Sequence, residues 1–174
     1  MTEKVAEPSK NVEPSRLNPA FKHEVMNEHD GETLKMCFQC GTCTSSCPTA
    51  RFSNSYRPRT VLRMAQLGLR QRVLSNNALW LCTACFICTD RCPQNVEVAS
   101  VLRVLRNLAV KNDFIPLIYR ELTSSINDTG YAYRIPELRH KKREEARLPP
   151  LPKANLADVS KLIELAGGSK LLKK

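Results

Sequence analysis

Apolar residues in this chain recur at the spacing of an amphipathic helix, most clearly after residue 95. They form one wide face there, with Arg103 and Arg106 on the opposite side. The apolar positions are Val96, Val98, Ala99, Val101, Leu102, Val104, Leu105, Leu108 and Ala109. Between residues 58 and 81 the strict alternation that is typical of half-buried strands is also absent. The pattern therefore predicts an all-α fold.

Proline, glycine and asparagine mark where further helices begin and end. Pro58 can start a helix and Gly68 can end it. The apolar patch at residues 114–119 contains Pro116, which starts or kinks a helix. Asn155 can cap a last helix, which ends at the glycine pair 167–168. Its apolar face comprises Leu156, Val159, Leu162, Ile163 and Ala166.

Composition divides the chain into three parts. Residues 1–20 are polar and contain three prolines, which predicts an extended arm. Residues 21–136 form the helical domain, which opens with a polar lead-in over residues 21–35 that can include a short helix. Residues 137–174 comprise a linker, charged over 140–147 and then rich in proline, and a C-terminal amphipathic helix. That helix either folds back on its own domain or docks in a partner's groove, and the long polar linker favours docking.

Charge and hydropathy restrict the compartment and the partners. No apolar run approaches the ~18 residues of a membrane-spanning helix, and residues 1–10 lack the apolar core of a signal peptide. We therefore expect no direct membrane insertion and a cytoplasmic location, because many reduced thiols require a reducing compartment. The net charge of +10 favours acidic faces of other subunits over nucleic acid. The arginines between residues 51 and 72 lie in a segment that also has apolar helical spacing, so a solvated helix face accounts for them.

All eight cysteines belong to two copies of one motif, C-x2-C-x2-C-x3-C-P. This is the ligand spacing of two-cluster ferredoxins, in which the fourth cysteine binds the other cluster. The motif therefore predicts two [4Fe-4S] clusters. We expect the first cluster to be bound by Cys37, Cys40, Cys43 and Cys92, and the second by Cys82, Cys85, Cys88 and Cys47. Pro48 and Pro93, which follow the fourth cysteines, fit the first turn of a helix.

Other uses of the cysteines fit this spacing less well. A structural zinc site takes two C-x2-C pairs, or mixes cysteine with histidine, and has no role for the third and fourth cysteines of each motif. Disulfides are typical of small secreted domains with an export signal. A Rieske centre needs two histidine ligands, whereas His23, His29 and His140 lie outside both motifs.

The sequences of both motifs resemble those of iron–sulfur proteins with an α-helical ferredoxin domain. Such domains occur in succinate dehydrogenase, anaerobic glycerol-3-phosphate dehydrogenase, glycolate oxidase and heterodisulfide reductase. The first motif reads C-F-Q-C-G-T-C-T-S-S-C-P from Cys37 to Pro48 and is similar to that of the C subunit of heterodisulfide reductase. The P-R pair at 58–59, the L-W-L-C sequence at 79–82 and the C-P pair at 92–93 also fit that family.

The resemblance implies an electron-transfer subunit of an oxidoreductase complex. In that family, the C subunit relays electrons from a flavin-containing subunit to a separate catalytic subunit. The CCG sequences of the catalytic subunit hold the clusters that cleave the coenzyme M–coenzyme B disulfide. This chain has neither a CCG cysteine pair nor an extended glycine-rich dinucleotide fingerprint, so no catalytic residue is expected on it.

Three functions remain open at this point. Fused relatives place CCG domains after this module, whereas here a linker and a helix follow, which favours a separate subunit of a heterodisulfide reductase. The second candidate is the iron–sulfur subunit of another oxidoreductase, such as a quinone-linked dehydrogenase. The third is a cluster-containing regulatory or nucleic-acid-binding protein, which the basic charge permits.

The loops of the two motifs differ in polarity. The first contains Gln39, Gly41, Thr42, Thr44, Ser45 and Ser46, and the second contains Ala84, Phe86 and Ile87. Hydrogen bonds to the sulfurs favour the more negative, reduced cluster. We therefore predict that the cluster of the first three cysteines has the higher reduction potential.

Overall fold

The structure is a computed structural model that describes residues 17–172. Most of the extended arm predicted for residues 1–20 lies outside the described residues. The chain divides into two compact units, of which the first ends at Phe114 and the second begins at Ile115. The described residues contain helices and no strand, which confirms the predicted all-α fold. The domain boundaries predicted at residues 20 and 136 stay predictions.

The first unit is built from short helices around one longer helix. Its α-helices are α1 (Phe21–Asn27), α2 (Thr42–Ser45), α3 (Pro48–Phe52), α4 (Pro58–Gln66), α5 (Arg70–Leu74), α6 (Ile87–Asp90) and α7 (Val98–Lys111). Two 3-10 helices, Glu32–Met36 and Asn77–Leu81, come directly before the two cysteine motifs. Each motif thus begins at the end of a 3-10 helix and carries a four-residue helix, α2 or α6.

Helix α7 forms the centre of the core of the first unit. Helices α1, α4 and α5 and both 3-10 helices pack against it. Leu102 and Leu105 of α7 are fully buried, as are Leu62 of α4 and Leu74 of α5. Burying one such side chain contributes about 1.5–3 kcal/mol. This packing holds the helices from which the cysteine loops project.

Helix α1 belongs to the same core, although the sequence predicts a polar lead-in over residues 21–35 with at most a short helix and no buried face. Phe21 and Val25 are fully buried, and the Arg70 guanidinium lies 5.8 Å from the centre of the Phe21 ring. The two apolar residues are one helical turn apart, so they share one face of the helix. The prediction missed this contribution because polar neighbours outnumber the pair.

Helix α4 begins and ends where the sequence predicts. Pro58 occupies its first turn, and Gly68 adopts a left-handed conformation with φ of +75° just beyond its end. The Gly68 carbonyl accepts a hydrogen bond from the Asn18 N–H at 2.8 Å. A Cβ atom at Gly68 would lie 2.3 Å from the Asn18 carbonyl oxygen. Glycine is therefore required here both by the backbone conformation and by the close approach of another segment of the chain.

The second unit consists of α8 (Leu117–Thr129), α9 (Glu137–Glu145), α10 (Leu156–Leu165) and α11 (Ser169–Leu172). Helix α8 begins after Pro116, as predicted, and ends at Gly130, whose φ is +74°. Helices α10 and α11 both pack against α8. Among residues 17–172, no helix has the length and apolar character needed to cross a bilayer.

The predicted cap of the last long helix is confirmed. The Asn155 side chain accepts a hydrogen bond from the Ala157 N–H at 3.1 Å, and α10 ends before Gly167, whose φ is +72°. Leu162 and Leu165 of this helix stay 65% and 75% exposed. Docking of α10 on a partner stays a prediction.

The charged segment predicted as a linker over residues 140–147 is largely helical. Helix α9 starts directly after Pro136 and runs through this segment to Glu145. Its residues are mostly good helix formers, and no glycine or proline interrupts them. It has no buried residue, so the sequence carries no apolar stripe from which the helix could be predicted.

Candidate metal centres

The eight cysteines gather around two separate cavities in the first unit. Cysteines 37, 40 and 43 of the first motif line one cavity together with Cys92 of the second. Cysteines 82, 85 and 88 of the second motif line the other together with Cys47 of the first. The structure thus brings together the four members of each predicted ligand set. The binding of individual irons by these sulfurs stays a prediction.

Both motifs bend around their cavities in the same way. Each has left-handed residues two and four positions after its first cysteine. These are Gln39 and Gly41 in the first motif, with φ of +69° and +92°, and Ala84 and Phe86 in the second, with φ of +52° and +61°. The short helices α2 and α6 then carry the third cysteines, Cys43 and Cys88, which are both buried. The sequence indicates this bend only at the glycine.

A threonine anchors each loop to the helix behind it. Thr44 accepts a hydrogen bond from the Arg59 N–H at 3.0 Å, and Thr89 accepts one from the Ala99 N–H at 3.1 Å. Both N–H groups lie in the first turn of their helix, α4 or α7, where the backbone has no helical acceptor. Sequence reasoning missed these contacts. The signal was present, because threonine follows the third cysteine in both motifs.

The two fourth cysteines differ in local structure. Cys47 directly precedes α3, and Pro48 lies in the first turn of that helix, as predicted. The matching prediction for Pro93 is wrong, because Pro93 lies in a turn and α7 begins only at Val98. The chain there is held by a hydrogen bond from the Val96 N–H to the Cys92 sulfur at 3.3 Å.

Two glutamines form a hydrogen-bonded chain beside the first cavity. The Gln39 amide donates to the Cys37 sulfur at 3.3 Å and to the Gln66 side-chain oxygen at 3.1 Å. Gln66 in turn donates to the Cys37 carbonyl at 2.8 Å and to the Leu34 carbonyl at 3.2 Å. Gln66 therefore fixes the amide that faces the sulfur. The sequence singled out Gln39 but gave no sign of Gln66, which lies 27 residues away.

A buried phenol lies beside the second cavity. Tyr56 is 1% exposed and lines the cavity together with the four cysteines. Burial raises the pKa of Tyr56 far above its usual range, and a hydrogen bond to the Cys82 sulfur raises this pKa further. The phenol therefore stays protonated and can donate to that sulfur. The apolar second loop is thus supplemented by a polar group that sequence reasoning missed.

Arg106 of α7 supports the start of the second motif. The apolar pattern predicts it on the solvent side of α7, but its guanidinium is half-buried and donates to the Leu79 carbonyl at 3.1 Å and the Cys82 carbonyl at 2.7 Å. Arg103 does lie on the exposed side and pairs with Asp30. The side chain of Arg106 therefore fixes the backbone at the first cysteine of the motif.

Burial and hydrogen bonding shift the thiol pKa values in opposite directions. Burial raises the pKa of Cys43, and it raises the pKa of Cys88 to about 12. A hydrogen bond with the Thr42 side chain lowers the pKa of the exposed Cys40. Iron binds the thiolate, so cluster binding has to release the protons that the buried thiols retain.

The donor set fits a four-iron cube at each cavity. Four thiolates surround each cavity, and a [4Fe-4S] cluster takes one thiolate at each iron. Among the residues that the structure describes, no three His, Cys, Asp or Glu side chains are grouped to hold a single metal ion. None of the three histidines lines either cavity. The surroundings therefore suit a cluster better than a lone zinc ion.

Comparisons with known proteins agree with this chemistry. A family model described as a 4Fe-4S dicluster domain matches residues 33–96. The chain is similar to the C subunit of the H(2):CoB-CoM heterodisulfide,ferredoxin reductase of Methanothermobacter thermautotrophicus, with 36% identity over 82% of this chain and 80% of the relative. It is 34% identical to the iron-sulfur C subunit of the CoB--CoM heterodisulfide reductase of Methanopyrus kandleri, over 90% of this chain and 88% of the relative. It is 40% identical to the C subunit of the ferredoxin:CoB-CoM heterodisulfide reductase of Methanosarcina mazei, over 70% of this chain and 74% of the relative. Two [4Fe-4S] clusters are therefore the cofactors of this chain, as the motif predicts.

Proposed function

This chain belongs to the family of heterodisulfide reductase C subunits, and from that premise we propose that it relays electrons within a heterodisulfide reductase complex. It is an iron–sulfur subunit of an oxidoreductase. The electrons would pass from a flavin-containing subunit to a CCG-type catalytic subunit that reduces the coenzyme M–coenzyme B heterodisulfide. When bound, each cluster supplies a one-electron redox centre. The chain itself would carry no substrate-converting site.

The observation that carries this proposal is the crossed arrangement of the cysteines. Cys47 lies with the second motif and Cys92 with the first, so the two cavities are formed by one small helical unit. We assign cluster 1 to Cys37, Cys40, Cys43 and Cys92, and cluster 2 to Cys82, Cys85, Cys88 and Cys47. Each motif would thus bind both clusters within one small unit, and this arrangement suits a relay.

A cytoplasmic location is part of the same proposal, since cysteines that bind clusters need a reducing compartment. The alternative is the iron–sulfur subunit of another oxidoreductase, such as a quinone-linked dehydrogenase. The names of these relatives, which all refer to the C subunit of a heterodisulfide reductase, support the first function over the second.

The test is native purification of the tagged chain without oxygen, followed by identification of the bound subunits and by iron and sulfide analysis. We expect about eight irons per chain, a flavin subunit and a CCG-rich subunit. Reduced flavin subunit should then reduce both clusters, and addition of the heterodisulfide should reoxidise them when the CCG-rich subunit is present. A haem- or quinone-binding membrane subunit in place of the CCG-rich subunit would support the alternative. Zinc, or a single cluster per chain, would overturn the relay.

A further inference from the structure

An open cleft lies beside the first cysteine cavity and has a volume of about 670 Å³. Four cations line it: Lys22 of α1, Lys35 of the first 3-10 helix, and Arg59 and Arg63 of α4. None of its described lining residues is acidic. The two arginines are four positions apart and so share one face of α4. Three separate elements therefore direct positive charge to one place.

The positive charge of this cleft is not neutralised by the described part of the protein. Lys22, Lys35 and Arg63 are exposed and form no ion pair with any carboxylate of residues 17–172. Arg59 makes only a long contact, 3.4 Å, to the Gln39 carbonyl. Like charges placed together without a counter-charge repel each other, so the cleft favours an anionic occupant.

Two acidic residues near Lys22 in sequence pair with other cations, and the exposed Glu32 does not line the cleft. Glu24 of α1 binds the Arg70 guanidinium at 3.1 Å, and Glu28 at the end of α1 binds the Lys111 ammonium at 2.7 Å. These carboxylates are therefore engaged outside the cleft. The cations of the cleft remain available to a partner.

The cleft is continuous with the first cysteine cavity. Cys37, Phe38, Gln39 and Arg59 line both. The Phe38 side chain is 60% exposed, so it offers an apolar contact next to the cations. An occupant of the cleft would therefore lie directly beside the first cluster.

We infer that this cleft binds an acidic segment of the subunit that exchanges electrons with the first cluster. The inference rests on the proposed function and adds to it which cluster faces that partner. Carboxylates of the segment would pair with Lys22, Lys35 and Arg63, and an apolar residue would contact Phe38. Such complementary charge fixes the register of a docked partner and speeds its association.

A protein segment fits the cleft better than a small ligand. Pockets for small molecules are mostly apolar and enclose the ligand, whereas this cleft is open and lined by long, exposed, charged side chains. The rim of a protein interface is polar and accessible to solvent, as are the charged side chains of this cleft.

Zero-length carbodiimide cross-linking of the purified complex tests the contact directly. The reagent joins a lysine amine to a carboxylate, with loss of water, only where the two groups touch. We expect Lys35 and Lys22 to be joined to Asp or Glu of a partner subunit, identified by mass spectrometry. Lys141 of α9, which is also exposed, serves as the control and should not be joined. Links from Lys22 and Lys35 only to glutamates of residues 1–16 of the same chain would overturn the inference.

Charge reversal measures the contribution of the cleft to binding. For the holoprotein K35E/R63E we expect the dissociation constant for the isolated partner subunit to rise about 100-fold at low salt, and by much less at 0.5 M salt. R51E/R91E removes the same charge from two exposed positions outside the cleft, and we expect a rise of about threefold or less. Equal losses in both variants, or no loss in the first, would overturn the inference. A first variant that loses affinity for duplex DNA but not for the partner would do so too.

The cluster content of each variant is checked by iron analysis and electron paramagnetic resonance. If K35E/R63E binds too little iron, the docking site is tested instead with the neutral variant K35Q/R63Q, in the same binding assay, and by cross-linking of the unaltered protein. Failure of the docking site and failure of the relay are distinguishable. Electron transfer that persists unchanged in K35E/R63E refutes the docking site alone, whereas cross-links without any electron transfer refute the relay alone.

Discussion

Replacing Tyr56 by phenylalanine should lower the reduction potential of the second cluster and leave the first unchanged. The substitution removes only the hydroxyl that can donate to the Cys82 sulfur and keeps the buried ring. A donor stabilises the reduced cluster more than the oxidised one, because reduction adds negative charge to the sulfurs. Without it, the second cluster becomes harder to reduce.

The size of the shift follows from the energy of one hydrogen bond. A hydrogen bond to a charged group contributes about 1.5–3 kcal/mol, and only the difference between the two redox states affects the potential. If the energy of the hydrogen bond differs by about 1 kcal/mol between the two redox states, the reduction potential shifts by about 40 mV. For one electron, about 59 mV corresponds to a tenfold change in the equilibrium constant. We therefore expect a decrease of about 40 mV.

The assay is a redox titration of the holoprotein followed by electron paramagnetic resonance, which separates the signals of the two clusters. Y133F is the matched control, because Tyr133 is 69% exposed and lines neither cysteine cavity. Y133F should leave both potentials unchanged. A second-cluster potential that stays the same or rises in Y56F would refute the reasoning, and so would an equal decrease in both clusters.

Three further predictions address the ligands, the first cluster and the fold. In C92S we expect the signal of the first cluster to disappear and that of the second to remain, and in C47S we expect the reverse. Loss of the second cluster in C92S, or of the first cluster in C47S, would contradict the crossed assignment. Q66L releases Gln39 from its partner, so the first cluster's potential should decrease by about 20–40 mV in the same titration, with the second as internal control; an increase would argue against the glutamine chain. G68A places a Cβ in a left-handed position and in close contact, so urea unfolding should show a loss of about 2–3 kcal/mol; a loss below ~0.5 kcal/mol would mean that the backbone there relaxes freely.

The sequence predicts the features that repeat at short spacing. The cysteine motifs identify the cofactor, and the apolar face after residue 95 identifies α7, because the residues of each pattern lie only a few positions apart in the sequence. Pro58 and Gly68 mark the ends of α4 because their backbone conformations are restricted at those positions. Local rules therefore account for the helical fold and for the grouping of the cysteines.

Contacts between single distant residues leave no such pattern. Tyr56 reaches Cys82, and Gln66 reaches Gln39, across segments that share no periodicity. Helix α9 was missed for a related reason, since a helix without a buried face has no apolar stripe. The prediction at Pro93 failed because a hydrogen bond to the Cys92 sulfur holds the following residues in a turn.

The exchange of one cysteine between the motifs also sets the order in which this protein can mature. Residues 37–47 leave the ribosome well before residues 82–92, but neither cavity has all four of its cysteines until the second motif has been synthesised. The intervening helices must also fold to bring the two motifs together. Neither cluster site can therefore be completed before the second motif has been synthesised, and a chain that stops between the motifs can complete neither of them.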